Sequence, residues 1–109
     1  MTREDIKKML DEVEVPYEYY MFEEKEAVNP PFLVWYFPDT NNFSADGKVY
    51  CRVNQLNIEL YTDQKDFILE EKLESLLNDR EIFWQKTEGF LKDEELYEVL
   101  YEMEVMINA

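Results

Sequence analysis

The sequence predicts an α+β fold: a mainly antiparallel sheet with two helices packed on one face, in the order α-β-β-β-α-β-β. Three observations predict it. Two segments, 2–13 and 63–79, space their apolar residues as one helical stripe behind a capping residue. Five others are runs of β-branched and aromatic residues bounded by Pro, Asn, Asp or Gly. Most are joined by short loops, which favours antiparallel neighbours, and a sheet with helices on one face is a layered α+β domain.

Each element has its own justification. In the first helix Ile6, Met9, Leu10 and Val13 line one face, Thr2 can cap it, and Asp5 sits where a capping-box partner belongs. Pro16 ends it, because proline has no amide proton to give. PYEYYMF (16–22) reads as a strand that puts Tyr19 and Tyr20 on opposite faces. FLVWYF (32–37), held between prolines, reads as a short strand covered on both sides. The stretch 46–63 reads as one long strand after an Asp46–Gly47 turn. Its apolar residues change parity: Val49, Cys51 and Val53 are odd, and Leu56, Ile58 and Leu60 are even. Either a bulge near Asn54–Gln55 flips the strand, or its first half runs past the core to bury against something else.

Asp63 or Asp66 caps the second helix, whose stripe is Leu69, Leu73, Leu76 and Leu77 with Ile68 alongside. Glu81–Lys86 reads as a strand and 87–93 as a turn around Gly89. The last segment fits a helix or a strand, and its β-branched and aromatic content favours the strand. Tyr97, Val99, Tyr101, Met103, Val105 and Ile107 then share one face, with Glu98, Glu102 and Glu104 on the other. Trp35, Tyr36, Phe37, Phe83 and Trp84 read as core.

The 109 residues suit one domain, 1–109, with a real core: 46% are hydrophobic and 16% aromatic. The net charge of −15 repels phosphate backbones and anionic lipid, so neither nucleic acid nor a membrane is an expected partner. Any oligomer must set its few cations against those carboxylates. One cysteine excludes an intrachain disulfide and fits a reducing compartment. The first residues lack the apolar run of a secretory signal.

The sequence has no histidine, so Ser-His and Cys-His catalysis are excluded. Cys51, at an apolar position of a strand, reads as a small buried hydrophobe. Three acidic groups stand out: Glu23, Glu24 and Glu26; Glu70, Glu71 and Glu74; Glu98, Glu102 and Glu104. Each reads as a solvated face. Clustered carboxylates suit hard cations, but no loop has EF-hand spacing. The expectation is no enzyme activity, no cofactor and no metal.

From Asn41 to Leu77, and more loosely over most of its length, the chain resembles small tail completion proteins of tailed bacteriophages and Gram-positive prophages, of the tail terminator or head–tail joining type. The features that carry this are NFSADGKVY (42–50), IELYTD (58–63), Lys65-Asp66 with the Leu-rich helix behind it, and the later Tyr101-Glu102. The resemblance implies a non-enzymatic virion subunit, made in the host cytoplasm and placed in the tail or neck. It implies a ring, commonly six-fold, at the head-proximal end of the tail tube. Its partners would be other copies of itself, the tail tube protein and the head connector protein. The expected contact residues are Phe43, Asp46, Lys48, Tyr50 and Arg52, an aromatic loop flanked by scarce cations. A second reading, carried by the charge alone, is a small acidic binding module that mimics DNA and inhibits a basic protein.

Overall fold

The computed structural model describes residues 1–22, 28–40, 42–45 and 47–107. Helix α1 (Arg3–Asp11) starts at a complete capping box: Asp5 N–H donates to the Thr2 hydroxyl, and Thr2 N–H donates to the Asp5 carboxylate. Five strands then form one sheet. They are β1 (Tyr17–Tyr19), β2 (Phe32–Tyr36), β5 (Val53–Thr62), β6 (Trp84–Leu91) and β7 (Leu96–Met106), in the spatial order β1-β2-β5-β7-β6. Helix α2 (Phe67–Asp79) connects β5 to β6, and Asp66 is its cap, accepting from Leu69 N–H. A separate two-stranded sheet, β3 (Phe43–Ala45) with β4 (Lys48–Cys51), lies between β2 and β5 in the chain. Taken by the main sheet, the element order is the α-β-β-β-α-β-β of the sequence reading.

Strand register sorts the side chains. One row across the sheet runs Tyr19, Trp35, Ile58, Tyr101 and Lys86. The next two contain Leu33, Leu60 and Val99, and Leu56, Met103 and Trp84. This face packs on Ile6, Met9 and Leu10 of α1 and on Leu73 and Leu77 of α2, all fully buried. Both helices therefore cover the same face. At about 2 kcal/mol for each large apolar side chain removed from water, this layer is the main stabilising term.

The structure corrects the sequence reading in several places. β1 pairs with β2 in parallel, the one parallel pair among mostly antiparallel ones. The connection from Tyr20 to Pro31 has the dozen residues a parallel crossover needs. Gly89 lies inside β6, and the turn falls at Lys92–Glu95. Phe83 is 80% exposed and Ile68 81%, so neither belongs to the core.

The parity change has a different cause from an internal bulge. β5 keeps an unbroken register with β7 from Val53 to Thr62. The long strand breaks earlier, at Arg52, and β4 leaves to pair with β3. A bulge does occur, but between Phe43 and Ser44 of β3. The hairpin is tied down at its base. Gln55 N–H donates to the Asp39 carbonyl at 2.9 Å, Val53 N–H to Asn42 Oδ1 at 3.1 Å, and Ile107 N–H to the Arg52 carbonyl at 3.3 Å. The longest dimension is 50 Å and the radius of gyration 15.1 Å, against about 13 Å for a compact domain of this length.

Candidate functional site

Where the hairpin leaves the sheet, the surface is concave. A groove of about 740 Å³ runs between the start of α1, the ends of β1 and β2, and the start of β5. Tyr19, Trp35 and Phe37 form its aromatic floor. Tyr19 meets Trp35 edge-on at 4.8 Å, and Trp35 meets Phe37 at 5.7 Å. Trp35 is buried, while Tyr19 stays 41% exposed. Arg3, Lys7 and Arg52 line the walls. Arg3 and Lys7 sit four residues apart on one face of α1.

The groove reverses the charge of the chain. Its walls hold three cations against Glu4, on a protein of net charge −15. Glu4 pairs with Lys7 at 3.5 Å with both side chains exposed, a contact worth well under about 1 kcal/mol. Among the described residues no carboxylate lies within 4.0 Å of Arg3 or Arg52. A concave patch with an aromatic floor and cationic walls suits an acidic, partly aromatic protein segment.

Among the described residues, no helix covers the opposite face of the sheet. It carries Phe32, Val34 and Tyr36 of β2, Asn57, Glu59 and Tyr61 of β5, and the acidic row of β7. Tyr20 stacks on Tyr36 at 4.9 Å, and Phe22 meets Phe32 edge-on at 5.5 Å. Val34 and Asn57 are nonetheless buried on this face. The polar atoms are joined. Tyr36 Oη and Tyr61 Oη donate to the two oxygens of Glu59 at 2.7 and 2.5 Å, Asn57 Nδ2 donates to Tyr36 Oη, and Gln55 Nε2 donates to Asn57 Oδ1. Partial burial first, then its own hydrogen bond to Glu59 and the charge of that carboxylate, raise the Tyr61 phenol far above its ordinary range.

Glu98 sits beside this network. Burial first, then the charge of Glu59, pushes its carboxyl above the usual 4.5. The folded chain therefore holds that proton more readily than the unfolded chain, and stability falls as pH rises from 4.5 through the raised value. Glu98→Gln removes the repulsion. It should raise Tm at pH 7 by about 2 °C and leave it unchanged at pH 3, well below 4.5, where both states are protonated. Calorimetry at the two pH values checks this, and an equal gain at both would mean the effect is not electrostatic.

On the helix face, Glu70 and Glu74 do not form the solvated surface the sequence suggests. Glu70 is 3% exposed. Its oxygens accept from Lys65 at 2.6 Å and Lys86 at 3.2 Å. Lys86 also reaches Glu74 at 2.7 Å, Lys65 reaches Glu88, and Tyr101 Oη donates to Glu74 at 2.7 Å. All these groups find partners within the cluster.

The expected contact residues fall at and beyond the groove. Phe43 is in β3, paired across to Cys51, and Lys48 and Tyr50 are in β4. Arg52 is the link between β4 and β5 and lines the groove. Asp46 lies outside the described residues, as do Glu23, Glu24 and Glu26 of the first acidic group. The sequence reading missed Arg3, Lys7 and the aromatic floor. Nothing in the chain links α1 to Arg52 until the sheet brings them together. Among the described residues no cluster of three Cys, Asp or Glu could hold a metal ion, and no helix is long and apolar enough to cross a membrane. No family model and no curated protein matches the chain.

Proposed function

We propose that this chain is a non-enzymatic virion subunit, a tail terminator or head–tail joining protein that forms a ring at the head-proximal end of a phage tail tube. The observation that carries the reading is the β3–β4 hairpin. It is a second, two-stranded sheet separate from the main one, and it spans NFSADGKVY (42–50), one of the stretches that resemble tail completion proteins. Such an arm serves contact with a neighbour or with the tube. The acidic surface suits the same role. It keeps the free subunit soluble and lets DNA pass a lumen without sticking.

The test is completion of tails. Purified chain added to tubes that lack it should cap them at one end, seen by electron microscopy, and make them competent to join heads. Phe43→Ala with Arg52→Glu should abolish capping and leave the circular dichroism spectrum of the monomer unchanged. Capping at the parent level by this double variant would remove the hairpin base from the contact. A chain that ignores tubes and instead captures a basic protein would favour the DNA-mimic reading.

A further inference from the structure

The groove needs an acidic, convex occupant, and the chain presents one itself. The turn between β6 and β7, Lys92-Asp93-Glu94-Glu95, is exposed at all four positions. It carries three successive carboxylates against one lysine. Glu95 has φ 55°, in the left-handed region, which closes the hairpin tightly into a narrow tip. Phe90, half exposed, and Tyr97 flank the tip with rings 4.9 Å apart. Tip and groove are complementary in charge, in curvature and in having aromatic groups beside the charges.

Their placement decides the geometry. The tip precedes Leu96, where β7 begins. The groove is lined by Ile107, just past the end of β7. Tip and groove therefore sit at opposite ends of one strand, separated by roughly 35 Å at about 3.4 Å per residue. A chain cannot fill its own groove with its own tip. We propose that the Asp93–Glu95 tip of one copy docks in the Arg3/Lys7/Arg52 groove of the next. This is a head-to-tail contact, the kind that repeats around a ring. It also eases the charge problem of assembly, because each contact sets Arg3 and Arg52, which meet no carboxylate among the described residues, against carboxylates. The inference rests on the ring reading and names the surfaces that meet in it.

A charge-swap pair tests it. One variant carries Arg3→Glu and Arg52→Glu, the other Asp93→Lys and Glu94→Lys. All four positions are exposed, so both variants should melt as the parent does. Alone, each places like charges in the contact and should associate at least about 100-fold more weakly than the parent in sedimentation equilibrium. Mixed in equal amounts they should associate again. The acidic tip of the first meets the intact groove of the second, and the basic tip of the second meets the reversed groove of the first. Variants that assemble alone as well as the parent, or a mixture that stays monomeric while the parent assembles, would overturn the contact and leave the ring standing. A parent that stays monomeric both alone and on tail tubes would overturn the ring reading itself.

Discussion

Replacing Tyr101 with Ala should cost about 4 kcal/mol, a large share of the roughly 5–15 kcal/mol that holds a domain this size folded. Tyr101 is the largest fully buried side chain, at the middle of the sheet between Ile58 and Lys86. Its ring meets Trp84 at 5.6 Å, and its hydroxyl donates to Glu74. The alanine variant leaves a cavity that backbone held on both sides by β5 and β6 cannot close. It also takes a donor from a partly buried carboxylate. Tyr101→Phe separates the two terms, since it keeps the ring and loses only the hydroxyl. Glu74 keeps Lys86, so this variant should lose about 1 kcal/mol. Urea denaturation measures both. A loss below about 2 kcal/mol for the alanine would mean that neighbouring side chains refill the site.

Lys86→Ala should cost about 2 kcal/mol, with a Tm lower by about 8 °C. The lysine bridges Glu70 and Glu74, whose side chains are 4% and 16% exposed. Removing it leaves two carboxylates facing each other with less compensation. The full range for a broken buried pair is about 3–5 kcal/mol, but Lys86 is itself 38% exposed and water can partly replace it. Glu70→Gln should be milder, because Lys65 keeps Glu88 and Lys86 keeps Glu74. The order of the two variants is therefore diagnostic, and the reverse order would mean that Glu70 alone organises the cluster. The pH dependence has a defined sign. The hydrogen bond to Glu74 first, and the contact with Glu70 against the opposing effect of burial, hold the Lys86 ammonium above its ordinary 10.5. Its contribution is complete below pH 10.5 and is lost as pH climbs through the raised value. The gap between parent and Lys86→Ala should thus be constant from neutral pH to about 10 and close beyond it.

What was legible in the sequence was whatever rests on local periodicity. The stripe Ile6, Met9 and Leu10 with its Thr2–Asp5 cap, and Leu73 and Leu77 behind Asp66, gave both helices. The alternation from Tyr97 to Val105 gave the last strand and its buried face. What was hidden depends on residues distant in the chain. Glu70 looks like surface because the lysines that pay for its burial, Lys65 and Lys86, are off its helix. Gly89 looks like a turn because glycine is the commonest turn residue, yet a tight tip formed without one at Lys92–Glu95. The parallel β1–β2 pair was masked by the general preference for antiparallel neighbours. Of the groove, only Arg52 could be picked out, through its place beside the hairpin.

The groove also has a place in the order of folding. β6 and β7 are joined by a four-residue turn and can zip together early, carrying the acidic tip with them. The groove draws its walls from residues 3–7, its floor from 19, 35 and 37, and its last cation from Arg52. These segments meet only when β1 has joined β2 and α1 has closed over the sheet, which brings residues at the start of the chain against Ile107 near the end of β7. A subunit thus acquires its knob before it acquires its socket. In the proposed contact, a copy whose groove had not yet formed would enter a finished neighbour but could not receive the next one, and assembly would stop there.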